Sequence, residues 1–133
     1  VMGGSDAGAH VRQIMDAGVP TYALTHWSRD KALEDPKHLP LEVVVKKLTH
    51  DGARLFGMTD RGTLEPGAKA DVNLINYEKL GVSHPEMVYD LPAGMPRLMQ
   101  TAIGYEKTFV SGEIVQENGK DTGARPGHIV RSR

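Results

Sequence analysis

Leu41-Glu42-Val43-Val44-Val45-Lys46-Lys47-Leu48 and, beyond Gly57, Ala70-Asp71-Val72-Asn73-Leu74-Ile75-Asn76 decide how this chain folds. In the first stretch Leu41, Val44, Val45 and Leu48 recur at three- and four-residue intervals, which stacks them on one face of a helix. Pro40 suits an early helical position, Glu42 the positive N-terminal end, and Lys46-Lys47 the negative C-terminal end. In the second stretch Val72, Leu74 and Asn76 alternate with Asp71, Asn73 and Ile75, the two-residue period of a strand. The period changes near Gly57. The expectation is a helical first part, residues 1–57, and a β-rich second part, residues 58–133.

Working outward, Thr49 to Phe56 reads as a second short helix, capped by Thr49 or Asp51 and closed by Gly57. Upstream, Val11 to Ala17 has apolar residues at 11, 14, 15 and 17, which suits one or two helical turns. Gly18 then ends the helix and Pro20 blocks its continuation. Thr21 to Leu33 predicts another helix with Tyr22, Leu24 and Trp27 on its inner face. Val1 to Asp6 reads as the end of a buried strand entering a glycine-rich turn. Downstream, three prolines and two glycines spread through Tyr77–Met99 predict a long loop. Lys107–Ser111 and Glu113–Glu117 read as strands joined through Gly112, and Asn118-Gly119 is a tight-turn signal. Arg125, Arg131 and Arg133 fall in a terminal tail that reads as solvated.

Composition bounds the function. The 133 residues are 39% hydrophobic and 25% charged, with a formal net charge of −1. That is the make-up of an ordinary globular domain, and it gives no electrostatic reason to expect nucleic acid or an anionic membrane as partner. Cysteine is absent, so a metal would need histidine or carboxylate ligands. No apolar run approaches the ~20 residues of a membrane span. The first residues lack the basic and apolar regions of a signal peptide and read as the middle of a gene product. A cytoplasmic protein is the expectation.

The chemistry concentrates in Gly4-Ser5-Asp6 followed by Ala9-His10. A carboxylate at the end of a barrel strand stands where (β/α)8 enzymes keep their catalytic groups. Amide hydrolysis needs a nucleophilic water and a proton for the leaving amine. A metal can activate the water, and a carboxylate can accept its proton and later donate one to nitrogen. Asp6 is the right residue type for that work. Glycines 3, 4 and 8 would let a substrate approach the backbone. Read locally, Asp6 also suits an Asx-turn or a helix cap. His10 could line a site or simply hydrogen-bond backbone. Arg29 could hold a substrate carboxylate through a bidentate pair or form a surface ion pair. Trp27 could wall a pocket or pack. The glycines match no common phosphate-binding fingerprint.

Five stretches together resemble one family. Val1–His10 resembles the eighth barrel strand and following loop of the amidohydrolase superfamily. Thr25-His26-Trp27-Ser28-Arg29-Asp30 resembles a segment just downstream in D-aminoacylases. Leu39–Thr49 with Ala53–Gly57 resembles the final barrel helices, and Asp60–Val72 the re-entry into the small β-domain. Val110–Val115 with Thr122–Gly127 resembles the end of N-acyl-D-amino-acid deacylases. Order and spacing make the set specific, and residues 77–104 fit least well.

The resemblance implies an α/β fold: the C-terminal end of a metal-dependent hydrolase (β/α)8 barrel in residues 1–57, and part of a small β-sandwich-like domain in residues 58–133. It implies a zinc-dependent enzyme acting on N-acyl-D-amino acids, with Asp6 as general acid/base and possible metal contact, and His10 and Arg29 as candidate substrate contacts. Other amidohydrolases, such as cyclic amide hydrolases, share these features. The family's histidine ligands lie on earlier strands. The histidines here, at 10, 26, 38, 50, 84 and 128, include no His-x-His pair. A full barrel takes roughly 250 residues, so the chain by itself is expected to be inactive. A stand-alone chain would instead be a non-catalytic association module. Unpaired strand edges would then favour a homo-oligomer.

Overall fold

The structure is a computed structural model and describes residues 16–130. A 3-10 turn at Asp16–Gly18 leads into helix α1, Val19–Leu24, which passes directly into a π-helical turn, Thr25–Arg29. Helices α2, Leu41–Leu48, and α3, His50–Leu55, follow after a loop. Among the described residues all strands lie beyond residue 71 and the helices of four residues or more before residue 56, in line with the change of period near Gly57. The expected strand at 1–5 and the residues 11–15 of the first expected helix lie outside the described residues.

The helix expected from Thr21 to Leu33 begins two residues earlier, at Val19, and its α-helical part ends at Leu24. Pro20 occupies the first turn of α1, where its missing N–H costs nothing and its fixed φ is already helical. The inner face of this helix is Thr21, Ala23, Leu24, Thr25 and Ser28, and Tyr22 is 45% exposed. The π turn, closed by Asp30 N–H on the Thr25 carbonyl at 2.9 Å, rotates the face away from a 3.6-residue period. Thr25 can be buried because its hydroxyl donates to the Thr21 carbonyl.

Helix α2 buries Val44 completely, while Leu41 and Val45 stay 38% and 43% exposed. Thr49 precedes α3 without a side-chain cap, because its hydroxyl donates back to Val45. Gly57, at φ +69°, ends the helical part as expected.

Strands β1 (Val72–Ile75), β6 (Tyr105–Val110), β7 (Glu113–Glu117) and β8 (Lys120–Asp121) form an antiparallel sheet in the order β1-β6-β7-β8. A register shift between Leu74 and Ile75 turns Ile75 toward the core and leaves Leu74 48% exposed, the reverse of simple alternation. Asn118 and Gly119 both have positive φ, the type I′ geometry of a two-residue hairpin.

The long loop expected over 77–99 is instead structured. β2, Gly81–Val82, pairs with β5, Ala102–Ile103, and β3, Glu86–Leu91, pairs with β4, Met95–Met99. Pro85 and Pro92 flank β3, and Pro96 lies in β4 of a two-stranded ribbon. At strand starts, turns and edges a proline removes no ladder hydrogen bond.

The buried core among the described residues is small: Ala23, Leu24, Val44 and Leu80, with Leu39, Leu48, Ile75, Tyr77 and Tyr105 packed against it. It joins α1 and α2 to the segment that leaves β1. Tyr77 donates to the Leu24 carbonyl at 3.1 Å, and the Tyr105 and Thr21 hydroxyls are 2.9 Å apart. These polar contacts tie the helical part to the β part at the rim of the core.

Candidate functional site

Asp6, the expected acid/base and possible metal contact, and His10 lie outside the described residues. The described chain starts ten residues after Asp6, and its first elements carry the remaining candidate side chains. Helix α1 and the π turn place Tyr22, His26, Trp27 and Arg29 in sequence. The His26 ring stacks on Tyr22 at 4.7 Å and meets Trp27 edge-on at 4.7 Å. Lys31 sits over Trp27 at 5.2 Å. Trp27 is half-buried, with its backbone carbonyl accepting from Leu39 N–H.

Arg29 spans the junction. Its Nη1 donates to the carbonyls of Tyr77 at 2.8 Å and Leu80 at 2.7 Å, with a longer bond to Glu78. Its Nε and Nη2 face the Asp30 carboxylate at 2.7 and 3.3 Å. The hydrogen bond to Asp30 raises the guanidinium pKa above its usual value. The planar fork thus satisfies a tight turn of the β part and a neighbouring carboxylate at once. Sequence reasoning could see the adjacent Asp30 as an ion-pair partner. The carbonyl acceptors, some fifty residues away, carried no signal.

A cavity of about 490 Å³ lies elsewhere, where the chain passes from α3 to β1. Phe56, Met58, Asp60, Arg61, Lys69 and His128 line it, among others. Arg61 bridges Asp60 at 3.0 Å and Asp71 at 3.2 Å, and this holds the Asp60 carboxyl below its ordinary range. The charges of this cavity are therefore largely matched within the fold.

Among the described residues no three His, Asp or Glu side chains converge as a metal site. His50 faces Asp51 at 3.1 Å, and Lys46 shares that carboxylate. Lys46 first, then His50, lowers Asp51 to a pKa of about 2. That is the chemistry of an ion pair, with both partners on Asp51 Oδ1. The described residues do not by themselves fit a zinc centre. No helix among them is long and apolar enough to cross a membrane.

Among the described residues, short helices are followed by small antiparallel sheets. Residues 1–116 match the amidohydrolase family, and the chain belongs to it. The match takes in Asp6, His10 and Arg29. A dihydroorotase of Elusimicrobium minutum (strain Pei191) is 36% identical over 98 residues, 65% of this chain and 23% of that protein. An allantoinase of Deinococcus radiodurans is 33% identical over 97 residues, 71% of this chain and 21% of that protein. The chain thus spans less than a quarter of the length of these relatives. No solved structure matches it.

Proposed function

We propose that the chain is the C-terminal part of a metal-dependent hydrolase that cleaves the amide bond of N-acyl-D-amino acids, with Asp6 as its general acid/base. In this reading residues 1–57 supply the last strand and helices of a (β/α)8 barrel, and residues 58–133 supply part of a small β-domain. The observation that carries it is the amidohydrolase family match over residues 1–116, which takes in Gly4-Ser5-Asp6. Membership makes an amide-type hydrolase the reading, and the Asp6 carboxylate is a group suited to shuttle a proton. The choice of N-acyl-D-amino acids is supported by the resemblance of Thr25–Asp30, Val110–Val115 and Thr122–Gly127 to D-aminoacylases. Zinc would supply an activated water, with its ligands on strands preceding this chain. A cytoplasmic location and a small N-acyl amino acid as substrate complete the proposal.

A second reading keeps the chemistry and changes the substrate to a cyclic amide. The names of the two relatives, a dihydroorotase and an allantoinase, favour it. Assay of the complete enzyme against N-acyl-D-amino acids and cyclic amides separates the two. Both share the expectation for Asp6. Asp6→Asn keeps the shape but cannot take a proton at neutral pH, so kcat should fall by about 10²–10⁴-fold with KM little changed. Because Asn serves equally well in an Asx-turn, a purely structural Asp6 predicts a normal rate. Steady-state kinetics decides, with thermal unfolding and zinc content measured alongside. An unchanged kcat defeats the assignment, and loss of zinc with activity moves Asp6 from proton carrier to metal ligand.

A further inference from the structure

We propose that Gln100 is a positioning residue of the enzyme: from the β part it braces the start of α1, and so steadies the connection that carries Asp6. The proposal rests on the barrel reading above and on Asp6 as general acid/base.

The contact lies within this chain. The 3-10 turn Asp16–Gly18 runs straight into α1. Gly18 has φ −75° and ψ −5°, a conformation open to any residue. Backbone freedom is therefore not what a glycine supplies there. Space is: a Cβ on Gly18 would lie 3.0 Å from Gln100 Oε1 and 3.0 Å from Val82 Cγ1. The missing side chain lets the turn close on both.

Gln100 is itself fixed from the other side. Its Nε2 donates to the Ser83 carbonyl at 2.9 Å. Ser83 is in turn tied to Thr101: the Ser83 N–H donates to the Thr101 carbonyl at 2.8 Å, and the Thr101 N–H donates to Ser83 Oγ at 2.9 Å. Ser83 follows β2 and Gln100 stands just before β5, so the β2–β5 pair is the frame that holds the amide. Gly18, Val82, Ser83 and Gln100 are all half-buried. One turn along α1, the Thr21 and Tyr105 hydroxyls meet at 2.9 Å. The β part thus seats the beginning of this helix at two points.

What the seat does follows from topology. In a (β/α)8 barrel the connections from strand to following helix build the catalytic face. On the barrel reading, α1 and the π turn belong to the connection between the last strand and the closing helices α2 and α3. Gln100 then acts on that connection from outside the barrel. A general base must stand within hydrogen-bond reach of the proton it takes, and a displacement of about 1 Å, even from a distant change, can cost ~10²-fold. Loosening the brace is therefore read in kcat.

The test uses the complete enzyme and whichever substrate it hydrolyses, an N-acyl-D-amino acid or a cyclic amide. Gln100→Ala and Gln100→Glu are each measured alone and combined with Asp6→Asn. Gln100→Glu keeps the length but sets an acceptor against the Ser83 carbonyl. Each alone should lower kcat by about ten- to a hundredfold, with KM and the thermal midpoint little changed. With Asp6→Asn present, neither should lower kcat further, because the group they position is already gone. Wild-type kcat in both variants overturns the proposal. Equal fractional losses with and without Asp6 overturn it too, because Gln100 then serves the fold at large. If Gln100→Ala fails to fold, Gln100→Glu decides alone. An unchanged kcat in Asp6→Asn itself overturns the acid/base reading and this proposal with it, whereas intact Gln100 variants beside a crippled Asp6→Asn overturn only the brace.

Discussion

Arg29 shows what a single side chain does here. Its guanidinium reaches from the π turn to the carbonyls of Tyr77 and Leu80 and holds the helical part against the turn that follows β1. Hydrogen bonds to charged groups contribute about 1.5–3 kcal/mol each. The side chain is 28% exposed, and water would replace part of what truncation removes. Arg29→Ala is therefore expected to cost about 2–3 kcal/mol, and Arg29→Lys to recover only part, since an ammonium cannot serve both directions of the fork. Urea unfolding followed by circular dichroism measures this. A loss within the ~0.5 kcal/mol of ordinary surface substitutions would mean that the clamp contributes nothing. The sequence allowed Arg29 a surface ion pair, and Asp30 is the partner. The clamp was not legible, because a carbonyl acceptor looks the same in every residue.

Gly104 does the corresponding work between elements. It lies between β5 and β6 at φ +93°, and its carbonyl accepts from Asn76 N–H at 2.8 Å. A Cβ there would stand 2.7 Å from the Leu80 Cα and 2.8 Å from its nitrogen. Both are backbone atoms, so nothing can swing aside. Gly104→Ala combines a left-handed conformation with a backbone clash, and a loss of roughly 3 kcal/mol or more is expected. A thermal unfolding midpoint within a degree or two of wild type would contradict that close approach. Elements whose signal is local were readable from the chain: α2 from its spacing and end charges, and the β7–β8 hairpin from Asn118-Gly119. β3 and β4 were not, because Pro85, Pro92, Gly94 and Pro96 read as loop until the ribbon shows each at a strand start, turn or edge.

At the scale of the whole molecule the described core is unusually slight. Only Ala23, Leu24, Val44 and Leu80 are buried apolar residues, while Phe56, Leu33 and Leu64 are 67%, 80% and 84% exposed. With so few buried side chains, each carries a large share of the cohesion between the two parts. Leu80 is 2% exposed, and Leu80→Ala is expected to cost about 2–5 kcal/mol, a large fraction of the ~5–15 kcal/mol of a typical domain. A urea titration should show the midpoint fall sharply, and a shift equivalent to under ~1 kcal/mol would show that cohesion lies elsewhere. Over the described residues the sequence by itself determined the change from helices to strands, the tight turns and membership of the amidohydrolase family, because period, turn chemistry and motif order are local properties of the chain. Only the tertiary structure decided that the 77–99 stretch pairs as strands, that Ile75 rather than Leu74 turns inward, and that Arg29 reaches Tyr77 and Leu80. Those outcomes depend on which distant backbone groups meet, and the spacing of residues along one chain does not encode that in any readable way.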